Sequence, residues 1–114
     1  MPRRILLALA CACLTGPVHA ELRVYEGTEA QALKCAAYFS YATYMLETRG
    51  LITPRNRQEG VLAATSIIGN HVGGSYEQKR KAFQAVLERL PDSDDTVISD
   101  SLRYLTWCSE RFLN

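Results

Sequence analysis

Few side chains in this sequence can do chemistry, and their spacing limits which chemistry is open to them. The imidazoles are His19 and His71, and the thiols are Cys11, Cys13, Cys35 and Cys108. A structural zinc site takes four clustered ligands, but the chain has no C-x-x-C and no H-E-x-x-H. Asp92, Asp94 and Asp95 lack the glycine and distal glutamate of an EF-hand loop. They read instead as negative charge at the positive end of a helix. Covalent haem needs C-x-x-C-H, which is absent, and the remaining axial pair is Met45 with His71. If two consecutive helices pack antiparallel, that pair falls at opposite poles, roughly 25 Å apart. Neither a metal nor an organic cofactor is expected.

Nucleophilic catalysis needs a base beside an activated hydroxyl or thiol. His71 is the one good base beyond the N-terminal segment, and Ser66, Asn70 and Ser75 near it have no triad character. Glu59, Glu88 and Glu110 are spaced as solvent-facing charges, so no carboxylate pair for acid–base work is legible. The stretch Gly73-Gly74-Ser75 opens a helix, with Lys79 and Arg80 one turn later, and helix N-termini bind anions through free N–H groups. A ligand site at His71, Gly74, Ser75 and Lys79 is therefore the alternative reading. A C-cap followed by an N-cap explains the same residues without a ligand, and the expectation is that the protein is not an enzyme.

A surplus of apolar and aromatic side chains is more informative. The segment 28–48 is apolar almost all round, whereas one bundle helix needs a single face of about 100° or a little more. Leu33, Cys35, Ala37, Phe39, Ala42 and Leu46 fill that need and leave Tyr38, Tyr41 and Met45 over. Trp107 falls amid the polar positions Asp100, Arg103 and Glu110. Tyrosine and tryptophan anchor protein interfaces, so Tyr38, Tyr41, Met45 and Trp107 are the candidate contacts for a protein partner or a second copy of the chain. Internal packing competes with this: a central first helix wrapped by the other three would bury the same residues.

The elements that position these residues begin after a leader. Arg3 and Arg4 precede an apolar run from Ile5 to Leu14, too short for the roughly 20 residues a membrane span requires. Val18-His19-Ala20 puts small residues where a signal peptidase reads, which predicts cleavage after Ala20 and a periplasmic or secreted mature chain. Neither Cys11 nor Cys13 has the leucine three residues earlier that marks a lipoprotein signal. Losing Arg3 and Arg4 from a chain with 13 Lys+Arg and 12 Asp+Glu leaves a formal charge of −1. Nothing there attracts nucleic acid, and no transmembrane segment follows the leader. Cys35 and Cys108 are then the mature thiols, and an oxidising compartment pairs them.

Residues 21–27 read as an extended arm, and 28–114 as one helical domain with helices at about 28–48, 54–72, 75–90 and 94–112. Thr28 with Gln31, and Ser75 with Gln78, have capping-box spacing. Pro54 follows the N-cap Thr53, Gly50 ends the first helix, Gly73-Gly74 cap the second, and Pro91 stops the third. At 100° per residue, predicted core faces are Val61, Ala64, Ile67, Ile68 and Val72; then Tyr76, Phe83, Val86, Leu87 and Leu90; then Val97, Ile98, Leu102, Leu105, Cys108 and Phe112. Short connections favour an all-α, up-down-up-down four-helix bundle. Cys35 and Cys108 then stand level, each roughly 10 Å from the same end, so one disulfide closes the first helix on the fourth. In size and layout, though in no motif, such a chain resembles periplasmic acid-stress chaperones and the small immunity proteins that block exported toxins. The reading is an exported, non-catalytic interaction protein of inhibitor, immunity, chaperone or assembly-accessory type.

Overall fold

Side-chain caps and left-handed glycines set the ends of the helices. A computed structural model describes residues 22–114, which form α1 (Gly27–Thr48), α2 (Pro54–His71), α3 (Tyr76–Glu88) and α4 (Asp94–Phe112), with no strand among the described residues. The proposed leader, residues 1–20 with Cys11, Cys13 and His19, lies outside the described residues. Thr53 accepts a hydrogen bond from the amide of Asn56 at 3.1 Å, and Pro54 occupies the first turn of α2. Ser75 and Gln78 form the full reciprocal capping box of α3. Ser93 caps α4, with Asp94 and Asp95 in its first turn, where negative charge suits the helix dipole. At the end of α1, Gly50 adopts φ +72°. The amides of Gly50 and Leu51 donate back to the carbonyls of Glu47 and Leu46, both at 2.9 Å, which is the Schellman arrangement.

Two boundaries differ from the sequence expectation. The Thr28–Gln31 capping box does not form: α1 starts one residue earlier, behind Glu26, which makes no side-chain cap. Gly27 takes φ +58° there, so the chain swings into the helix through a glycine rather than through a hydroxyl cap. The second helix ends at His71, because β-branched Val72 turns extended and is buried. The left-handed residue is Gly74, at φ +96°, which leads into α3 instead of closing α2.

Helix α1 is the hub. Its buried residues are Ala32, Leu33, Cys35, Ala36, Ala37, Tyr38 and Ala42, and at 100° per step they are spread round most of its circumference. Each of the other three helices packs chiefly on it. The alanines make this possible, since small side chains let neighbouring helices approach closely. Gly60 of α2 carries the same logic further: a Cβ there would stand 2.5 Å from Cγ2 and 2.6 Å from Oγ1 of Thr43. Ascending positions on α1 meet descending positions on its neighbours. Thr43 meets Gly60, and Glu47 meets Arg57 at 3.2 Å. Across to α4, Cys35 meets Cys108, and Arg49 meets Asp95 at 2.7 Å.

Because α1 supplies so much of the core, the outer helices bury less than their patterns predict. Leu102 is 62% exposed, Tyr76 79% and Val61 39%; all three were expected inside. In α4 the core place one step before Leu102 belongs to Ser101, whose hydroxyl donates to the carbonyl of Val97 and so tolerates full burial. Leu102, 100° further round, turns outward. Helix α3 buries no residue completely; Ala82, Phe83 and Val86 are half-buried against the core. The core is closed by Cys35 and Cys108, which stand at disulfide distance with Cα atoms 5.7 Å apart across a separation of 73 residues. A loop of that length gives the bridge on the order of 4 kcal/mol in the chain-entropy account. Among the described residues no helix is long and apolar enough to cross a membrane.

Candidate functional site

A groove runs between α1 and α4, directly over the cysteine pair. Helical spacing builds it: Gln31, Lys34, Cys35 and Tyr38 share one face of α1, and Arg103, Tyr104, Trp107 and Cys108 share one face of α4. These residues line a cavity of about 490 Å³, within the range of small ligand and side-chain pockets. The rings of Tyr38 and Tyr104 stack across it with centroids 6.2 Å apart and planes 10° apart. Trp107 meets the ring of buried Phe112 edge-on at 6.0 Å. Tyr104 and Trp107 keep 42% and 43% of their surface exposed, so the groove presents aromatic faces to solvent. Cations sit over two of the rings: Lys34 Nζ is 5.9 Å from the centre of Tyr38, and the Arg111 guanidinium 5.7 Å from that of Trp107.

The four predicted contact residues divide. Tyr38 and Trp107 both line the groove, although Tyr38 is only 4% exposed. Burial, with the charge of Asp100 and the neighbouring Tyr104, pushes its phenol above the usual value. Tyr41 serves the fold: its hydroxyl donates to Asp94 Oδ1 at 3.1 Å, tying α1 to the first turn of α4. That hydrogen bond, then burial, raises its phenol pKa. Met45 is half-buried and does not line the groove. Sequence reasoning missed Tyr104, Lys34 and Arg103. The signal available was the cysteines, since Gln31, Tyr38, Tyr104 and Arg111 each lie three or four residues from one end of the bridge and must flank it.

The residues of the alternative site are occupied by the chain itself. His71 Nε2 donates to the carbonyl of Phe112 at 2.8 Å, and its ring packs edge-on against Phe112 at 5.1 Å. It thereby satisfies an otherwise open carbonyl at the end of α4. The amide of Gly73 donates to Glu29 Oε2 at 2.7 Å. Arg23 holds the same carboxylate at 3.0 and 3.1 Å, and Tyr25 donates its hydroxyl to the Gly73 carbonyl at 2.7 Å. An internal carboxylate thus sits at the turn where an external anion was considered. Ser75 is used by its capping box. A second hollow of about 340 Å³ lies beneath the arm, between Leu22–Tyr25, Ala30 and Leu33 of α1, and the Gln78–Arg89 side of α3. His71, Gly74, Ser75 and Lys79 line neither hollow. Among the described residues no group of three or more His, Cys, Asp or Glu is placed to hold a metal ion.

No family model, curated protein or solved structure matches the chain.

Proposed function

We propose that this chain is an exported, non-catalytic interaction protein, of inhibitor, immunity, chaperone or assembly-accessory type, that binds a protein partner through the aromatic groove between α1 and α4. The observation that carries the reading is the half-exposure of Trp107 and Tyr104 beside a buried cysteine pair. Aromatic side chains held on rigid helices, with little rotamer entropy left to lose, are the usual anchors of binding energy. Export follows from the Arg3–Ala20 leader pattern, and a cysteine pair at disulfide distance is compatible with an oxidising compartment. We read the helices as an up-down-up-down bundle centred on α1. That course is supported by the pairing of Cys35 with Cys108 and of Glu47 with Arg57. A formal charge near zero in the mature chain argues for a protein partner or a second copy rather than nucleic acid.

The alternative, a ligand-binding or enzymatic bundle at His71, Gly74, Ser75 and Lys79, draws less support. The polar groups of His71, Gly73 and Ser75 already have partners within the chain, which leaves no convergent set of free donors.

The test is the mature protein isolated from the envelope of its native host. Intact mass should correspond to residues 21–114 less two hydrogens, gaining those two on reduction. A stoichiometric partner should co-purify and be lost on Trp107→Ala. A lone monomer of the same mass, under gentle extraction, would count against the reading.

A further inference from the structure

The charge around the groove is not balanced within the chain. Away from the groove most arginines find carboxylates: Arg23 pairs with Glu29, Arg49 with Asp95, Arg55 with Glu59, Arg57 with Glu47 and Arg80 with Glu77, with Arg89 the exception among the described residues. Lys34, Arg103 and Arg111 surround the groove, and none of them joins an ion pair among the described residues. No carboxylate lines the cavity. The charge of Asp100 reaches the Tyr38 phenol, but Asp100 makes no ion pair with these cations. Three unpaired cations therefore border one slot whose walls are Tyr38, Tyr104 and Trp107.

Their order along α4 is specific. Arg103, Trp107 and Arg111 fall at i, i+4 and i+8, one inclined ridge that drifts about 40° round the helix at each step. The two arginines stand about 12 Å apart along the helix axis at 1.5 Å per residue, with the indole midway. An extended chain advances about 3.3 Å per residue and shows alternate side chains on one face. Two carboxylates four residues apart, with an apolar side chain between them, then span about 13 Å and match that spacing. Arginine meets carboxylate with two parallel hydrogen bonds, and the central side chain enters between Tyr104 and Trp107.

We propose that the groove receives an extended acidic segment of the partner protein, with carboxylates at its first and fifth positions and a bulky apolar or aromatic residue at the third. This rests on the binder reading above and adds the chemistry of the partner. The cations steer the segment in and fix its register, while the aromatic walls supply the buried area. Arg103 has no ion pair or hydrogen bond to give up among the described residues, so its guanidinium is free to serve the partner.

The experiment uses Trp107, the chain's single tryptophan, as an intrinsic reporter of binding to the mature, oxidised protein. The probe is the acetylated and amidated peptide Glu-Ser-Phe-Ser-Glu, with the Gln-Ser-Phe-Ser-Gln and Lys-Ser-Phe-Ser-Lys analogues and 3-phenylpropionate as comparators. The acidic peptide should perturb the indole fluorescence saturably and bind about tenfold or more tighter than the glutamine analogue, the scale of one charge-assisted hydrogen bond. That preference should vanish in Arg103→Glu, a variant expected to keep its melting temperature because the side chain is exposed and unpartnered. It should also fade as salt is raised. Equal affinity for the three peptides, no saturable response to the acidic one, or 3-phenylpropionate binding as tightly as the peptide would each overturn the proposal. The native partner separates this from the broader reading. A partner lost on Trp107→Ala but retained by Arg103→Glu and at high salt would sink the acidic chemistry and leave the binder standing. Absence of any partner for the unaltered protein would sink the binder reading itself.

Discussion

Tyr38 of α1 and Tyr104 of α4 stack with planes 10° apart and centroids 6.2 Å apart, and each lies one helical turn from the cysteine of its own helix. The bridge and the stack therefore depend on the same helix pair and the same register. Since Cys35 and Cys108 lie at the floor of the groove, whatever loosens the bridge also splays the aromatic walls. Fold stability and the shape of the groove are coupled at this point.

Reduction should show that coupling. Cys35→Ala with Cys108→Ala, or treatment with reductant, is expected to cost about 2–5 kcal/mol of unfolding free energy, measured by urea denaturation. The groove should lose order with it, so Trp107 emission should shift towards that of a solvated indole before global unfolding. A reduced protein with unchanged stability would contradict this coupling.

Close approach of α1 and α2 predicts an asymmetric response at Gly60. Alanine is the better helix former by roughly 1 kcal/mol, but its methyl would stand within 3 Å of three Thr43 atoms. Overpacking of this kind costs about 1–3 kcal/mol, so Gly60→Ala should be destabilising on balance. Adding Thr43→Ala removes Cγ2 and Oγ1 but keeps the Cβ 2.9 Å away, so it should recover part of the loss. A melt of the single and double variants decides it.

Glu29 closes the turn between α2 and α3 by accepting from the Gly73 amide, while Arg23 holds it in place. Glu29→Ala leaves that amide without its acceptor and releases the arm, at a cost of about 1–3 kcal/mol. Hydrogen exchange should localise the effect: the Gly73 amide and the first turn of α3 lose protection, while the centre of α1 keeps it.

The phenols give the pH dependence a sign. Both Tyr38 and Tyr41 have pKa values raised above the usual 10, by burial in the first case and by the hydrogen bond to Asp94 in the second. Above pH 10 the unfolded chain releases these protons more readily than the folded one, so the folded state binds more protons and stability falls as pH rises. Their contribution is complete below pH 10 and is lost through the raised values. Tyr41→Phe should flatten the alkaline limb of the stability profile and lower neutral stability by about 0.5–1.5 kcal/mol. An unchanged alkaline limb would contradict the assignment.

Much of the fold was legible because its signals are local. Thr53-Pro54, Ser75 with Gln78, and Gly50 are caps whose chemistry acts within one turn, and each took its expected role. The pairing of Cys35 with Cys108 was legible because so few thiols remained to choose from. The inward face of α4 was harder to read. Its pattern of Leu102 and Leu105 assumes that each helix buries its own apolar stripe, whereas α1 supplies about half of the buried residues and Ser101 takes a core place on α4. Tyr41 looked like surplus surface because its partner, Asp94, lies 53 residues away, beyond any local pattern. The groove was half visible. Trp107 stood out as an aromatic among charges, but Tyr104, Lys34 and Arg103 acquire meaning only when the bridge brings the two helix faces together.

The most direct test of the central claim is site-specific photo-crosslinking in the native host envelope. A benzophenone side chain would replace Trp107 in one variant and Tyr76, exposed on α3 and outside the groove, in another. The account predicts one discrete protein adduct from position 107, either a second copy of the chain or a single other polypeptide, and none from position 76. No adduct at 107, or the same adducts from both positions, would contradict it.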